Sequence, residues 1–82
     1  MSPKLKRLSG ADVVGIMRTF DFDILSQKGS HAKLRRVSDT GEKQTLTIPL
    51  HDELDTGTLR AIFRQATRYI TKNELRPYFY SD

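Results

Sequence analysis

The sequence predicts an α+β fold in which a three-stranded antiparallel sheet carries helices on one face. Three observations predict it. Two segments, around 13–20 and 59–70, repeat apolar residues at helical spacing. Three strand-like runs lie between them, separated by short turns that contain glycine. Both helices have one apolar stripe and the sheet has one apolar face, so the economical packing lays both helices on that face and leaves the other open.

The elements follow in order. A basic arm, residues 1–8, leads into a first helix. Ser9 is its N-cap, and Asp12 lies in its positive first turn. Val13, Ile16, Met17 and Phe20 form its core stripe, Gly15 lies on the outer side, and Asp21 tolerates the turn that ends it. The first strand runs over 22–27, with Phe22 and Ile24 on one face. Lys28, Gly29 and Ser30 make a tight turn. The second strand covers 31–37, and residues 38–42 form a hairpin loop. The third covers 43–50, with Leu46, Ile48 and Leu50 alternating against Thr45 and Thr47.

Asp55 caps a second helix whose core face is Leu59, Ile62, Phe63, Ala66 and Ile70. Arg60, Arg64 and Arg68, spaced four apart, fall on another side of it. Thr71 to Glu74 is a capping box with Ile70 and Leu75 as its hydrophobic staple, and it opens a third helix that Pro77 should limit to about a turn. A tail, 77–82, carries Tyr78, Phe79 and Tyr80. The α-β-β-β-α order is that of the double-stranded-RNA-binding fold. A chain of 82 residues makes one small domain, 1–82, with any site on its surface or in a shallow groove.

Composition narrows the function. Fourteen Lys and Arg against ten Asp and Glu give a net charge of +4, which favours polyanionic partners. The chain has no cysteine, so disulfides and thiolate metal sites are excluded; this suits the cytoplasm. No apolar run is long enough to span a membrane, and no signal-peptide core follows the arm. Two histidines without cysteine do not make a standard zinc site, and there is no Gly-rich nucleotide loop or recognisable nucleophile motif. No cofactor is expected.

The stretch from Lys28 to Val37 holds four cations and no acid. If Leu34, Leu46, Ile48 and Ile24 face the core, then His31, Lys33 and Arg35 stand in a row on the open face, joined by Lys28. That row is either a solvated strand face or a phosphate-binding surface with an acid–base group at its head. A hairpin centred near residue 40 sets His31 opposite Pro49, with His51 a diagonal step away. His51 is then either a second acid/base or a structural residue at the strand-to-helix corner. Arg60, Arg64 and Arg68 are a clamp for a nucleic-acid backbone, a docking row for an acidic protein, or a solvated helix face. Gly57 would leave backbone amides open to a phosphate, and the late aromatics would stack bases or close the core.

Four stretches, taken in order, resemble the HicA family of bacterial mRNA-interferase toxins: S-G-A-D-V-V at Ser9–Val14, Q-K-G-S-H at Gln27–His31, T-I-P-L-H at Thr47–His51 and G-T-L-R-A-I-F-R-Q-A at Gly57–Ala66. Together they span roughly 9–75. The resemblance implies a fold similar to the double-stranded-RNA-binding fold, His31 as catalytic histidine, an mRNA substrate cut without metal, and a HicB-type antitoxin that covers the site. Lys28, Lys33, Arg35, Arg60 and Arg64 would then contact RNA. Asp21 stands where the family usually ends the first helix with Gly, and Thr56 where Pro often precedes Gly-Thr-Leu. The basic arm and the Tyr-Phe-Tyr tail have no firm counterpart. Two rivals share these residues: a non-catalytic RNA-binding module, and a protein-interaction domain for an acidic partner.

Overall fold

The computed structural model describes residues 3–81; Met1, Ser2 and Asp82, the extreme ends of the arm and tail, lie outside the described residues. The chain runs β1 (Lys4–Leu5), α1 (Gly10–Arg18), β2 (Asp23–Lys28), β3 (His31–Val37), β4 (Lys43–Pro49), α2 (Thr56–Ala66), α3 (Lys72–Phe79) and β5 (Tyr80–Ser81). Strands β2, β3 and β4 form the expected antiparallel sheet in that spatial order.

Both ends of α1 are built from the residues the sequence suggested. Ser9 Oγ accepts the Asp12 N–H at 2.9 Å, and the Asp12 carboxylate accepts the Ser9 N–H at 2.9 Å, a reciprocal capping box. At the other end Asp21 takes φ 71. The Asp21 N–H reaches the Arg18 carbonyl and the Phe22 N–H the Met17 carbonyl, each at 3.1 Å, so the helix closes in a Schellman pattern with Asp in the place of the usual Gly. The buried stripe is Val13, Val14 and Met17, with Ile16 and Phe20 only partly buried against it.

Gly10 sets how closely α1 approaches the sheet. A Cβ there would run into the Pro49 carbonyl oxygen and lie 2.7 Å from Leu50 Cα, both backbone atoms that cannot swing aside. Gly10→Ala should therefore destabilise the fold by about 1–3 kcal/mol, read as a lower denaturant midpoint with an unchanged m-value. An unchanged midpoint would mean that the helix can slide without cost.

The β3–β4 register is the one expected, from His31 opposite Pro49 to Val37 opposite Lys43. Between β2 and β3 the turn has two residues, Gly29 (φ 58) and Ser30, and only the first has positive φ, as in a type II′ turn. Strand β2 also carries a bulge that alternation did not reveal. Ile24 pairs with Leu34, but Ser26 pairs with Lys33, which leaves Leu25 as the extra residue. The insertion reverses the parity of everything after it, and so Lys28 emerges beside His31.

Several boundaries differ from expectation, and β2 runs Asp23–Lys28 rather than 22–27, which takes Lys28 out of the turn and into the strand. Strand β4 stops at Pro49, so Leu50 lies outside the sheet and is only partly buried. Helix α2 stops at Ala66 with Thr67 as C-cap, so Arg68 lies in the following turn and the helical row is Arg60 and Arg64 alone. Ile24 was expected in the core. It pairs with core Leu34, but β2 is an edge strand that no helix covers, and Ile24 stays 46% exposed. At the start of α2, Asp55 accepts the Thr58 hydroxyl at 2.6 Å and the Thr58 N–H at 3.1 Å, and these bonds hold its carboxyl below the usual range.

Helix α3 overruns its expected stop. Pro77 sits inside a helix of eight residues. The bond lost is one to the exposed Asn73, whose carbonyl water can reach, whereas Leu75 and Phe79, one turn apart on the same side, are both wholly buried. Burial of that pair outweighs the missing bond. The arm and the tail then meet. Lys4 pairs with Ser81 and Leu5 with Tyr80, and Lys6 donates its N–H to the Phe79 carbonyl at 2.8 Å. Phe63 holds both Phe79 and Tyr80 in edge-on contacts at 5.4 and 5.3 Å.

Candidate nucleic-acid interface

The core residues Ala32, Leu34, Leu46 and Ile48 point to the helices, so the alternate residues form the open face. Cross-strand partners share a face, and the registers assemble it in rows. Lys28, His31 and Pro49 make one; Ser26, Lys33 and Thr47 the next; Asp23, Arg35 and Thr45 a third. Neighbours across a row have Cβ atoms about 5 Å apart, and rows are about 7 Å apart along a strand. His31, Lys33 and Lys28 are exposed, and Arg35 is partly so. Among the described residues, none of these four side chains forms a hydrogen bond to another part of the chain.

His31 stands at a braced corner. The Leu50 N–H bonds the Ser30 carbonyl at 2.6 Å, and the His51 carbonyl accepts the Gly10 N–H at 2.9 Å. With Gly10 pressed on Pro49, three of the quoted sequence stretches, far apart in the chain, meet around one histidine. The backbone carrying His31 is thus held by its neighbours on two strands, by the turn before it and by the start of α1.

The fourth cation of the 28–37 stretch belongs elsewhere. Arg36 faces the helices rather than the open side. Its Nε donates to Gln44 Oε1 at 2.7 Å, and its two terminal nitrogens donate to the carbonyls of Phe20 at 3.0 Å and Tyr69 at 2.9 Å. The guanidinium also lies 5.0 Å from the centre of the Phe22 ring. It braces the chain just past α1 and just past α2 against the sheet. Strand parity alone, even numbers inward on β3, was the signal for this role.

The remaining candidates separate from the row. Arg60 and Arg64 are exposed on α2, on the helical layer rather than the open sheet face. His51 lies two residues beyond the end of β4, so the strand ladder does not carry it to the diagonal position beside His31; its fixed contact is the backbone bond to Gly10. Gly57 is exposed in the first turn of α2. Two features of the open face were not singled out in the sequence. Asp23 brings an acid opposite Arg35, and Ser26, Thr45 and Thr47 add hydroxyls between the cations. The Phe22–Ile24 alternation and the threonine pattern were the available signals.

Of the three concavities described, one touches the open face, at Asp23 and Arg35. The largest, about 430 Å³, is lined by residues of the arm, α3 and the tail, and neither of the others includes His31. An open sheet face is the shape that suits a strand laid across it rather than an engulfed small molecule. No group of three or more His, Cys, Asp or Glu side chains converges among the described residues, and no helix among them is long and apolar enough to cross a membrane.

Comparison with known proteins agrees with the motif pattern. A family model described as "HicA toxin of bacterial toxin-antitoxin" matches residues 10–67. That span runs from the first residue of α1 to the cap of α2 and contains all the candidate site residues. No curated protein and no solved structure matches.

Proposed function

The chain belongs to the HicA toxin family of bacterial toxin–antitoxin systems, and from that premise we propose that it is a metal-independent endoribonuclease acting on mRNA, with His31 as its general acid or base. The observation that supports this most is the placement of His31. It is an exposed imidazole on a braced strand end, heading a row of cations that no internal hydrogen bond engages.

The chemistry needs few side chains because RNA carries its own nucleophile. The 2′-hydroxyl attacks the adjacent phosphorus and the 5′-oxygen leaves. His31 would take the proton from the 2′-hydroxyl or return one to the leaving oxygen. Lys28 and Lys33 flank His31 across and along the sheet, and with Arg35 they would hold the phosphate and offset the charge that develops on it. Arg60 and Arg64, on the other layer, would contact the strand beyond the scissile bond. His51 is the candidate for a second acid/base. The partner in the cell would be a HicB-type antitoxin that covers the open face, with the cytoplasm as the compartment of both.

The test of the nucleophile is a substrate with a single 2′-deoxyribose at the scissile position. Cleavage there should fall below detection while cutting at other sites persists. Cutting at the deoxy position would overturn the mechanism. The rival non-catalytic RNA-binding module shares the same row of cations and differs in predicting no cleavage of any substrate.

A further inference from the structure

The positive charge of this protein does not come from the family-matched region. Within residues 10–67, eight Lys and Arg stand against eight Asp and Glu. Outside it, among the described residues, Lys4, Lys6, Arg7, Arg68, Lys72 and Arg76 stand against Glu74 alone. The acid is itself committed, its carboxylate accepting the Thr71 hydroxyl at 2.7 Å within the α3 cap. The pairing of β1 with β5 folds arm and tail into one layer beside α3, and that layer contains the largest concavity, about 430 Å³, lined by Pro3, Lys6, Asn73, Arg76, Pro77 and Tyr80 among others. Lys6 Nζ donates to the Pro77 carbonyl at 2.9 Å, and Arg76 lies 5.6 Å from the centre of the Tyr80 ring. Both cations are thus held in place by uncharged groups and keep their full charge for a ligand.

We propose that this terminal layer is a second polyanion-binding surface, which holds the phosphates of single-stranded RNA at a distance from the open sheet face. The aromatic content favours nucleic acid over an acidic protein. Tyr80 lines the groove with Lys6 and Arg76, and a tyrosine set among cations is the make-up of a surface on which a base stacks while the backbone is gripped. The proposal rests on the ribonuclease reading only for the choice of RNA as the polyanion. Its consequence is division of labour: the nearly neutral family-matched region cuts, and the charged layer supplies sequence-independent grip.

The test measures binding of a labelled single-stranded RNA of about 16 nucleotides as a function of salt, for the wild type and for Lys4→Gln with Arg76→Gln. Binding should weaken about tenfold at low salt, and the slope of log K against log salt should shrink by about 1.4, roughly 0.7 for each lost phosphate contact. Cleavage of a short RNA of about four nucleotides should be unchanged, because such a strand occupies the sheet face alone. Arg76→Lys, which keeps the charge, should keep most of the slope. A wild-type slope in the double variant would overturn the proposal. So would an equal loss in Arg76→Lys, which would make the role of Arg76 structural. Unchanged RNA binding with lost binding of a poly-glutamate probe would overturn it in favour of an acidic protein. Measuring His31→Ala alongside keeps the readings apart, since it should lose cleavage and retain the full salt slope.

Discussion

His31→Ala should lower the rate of RNA cleavage by about 10²–10⁴-fold, the contribution of one positioned acid–base group. The prediction is sharp because the substitution leaves the scaffold alone. The His31 side chain is exposed, and no hydrogen bond from its ring supports another element. Its backbone pairs with Lys28 and Pro49 whatever side chain it carries. Thermal stability should therefore stay within about 0.5 kcal/mol of the wild type, and the loss should fall on kcat rather than on RNA affinity. Lys33→Gln should show the opposite balance, with weaker binding and a smaller salt slope. Measuring His51→Ala in the same assay separates a second acid/base, which would lose rate on its own, from a corner residue, which would not. Equal cleavage by wild type and His31→Ala would remove the catalytic role and leave the RNA-binding module as the better account.

Arg36→Ala should cost about 2–4 kcal/mol of stability, a large part of what a domain of this size has. Three hydrogen bonds vanish together, and two of them leave carbonyls, of Phe20 and Tyr69, without their donor. At about 4–8 °C per kcal/mol, the melting temperature should fall by roughly 8–32 °C. Arg36→Lys should recover only part of this, because one ammonium cannot span acceptors that a planar guanidinium reaches in three directions. Arg36→Met keeps the stem against Phe22 and isolates the hydrogen-bond share. A variant within about 0.5 kcal/mol of wild type would show that the brace carries no weight.

Much of this architecture could be read from residue order. Ser9, Asp55 and Thr71 stand three residues before the N–H groups that their oxygens accept, and capping is local enough to be visible in one dimension. The β3–β4 register followed from a hairpin loop and strict alternation. What escaped was decided by partners distant in sequence. The bulge at Leu25 has no composition signal, since Ile-Leu-Ser-Gln reads as plain strand until its partner is known. The parity of β3 turns Arg36 inward, but its role as a brace does not show locally, because two of its three acceptors lie 16 and 33 residues away. Pro77 reads as a stop because propensity is local, whereas the burial of Leu75 and Phe79 that overrides it comes from the rest of the fold. The site divides in the same way. The row on β3 was legible from parity, but the meeting of Gly10, Ser30, Leu50 and His51 behind it was not.

The pairing of Lys4 with Ser81 and of Leu5 with Tyr80 has a practical consequence. Lys4 and Ser81 lie side by side, so neither short strand frays without unzipping the other, and chain continued beyond either one starts from the same spot. A short linker joining them would close the chain into a ring, and a new start could then be opened in the exposed 38–42 hairpin, a circular permutant that keeps every strand and helix whole.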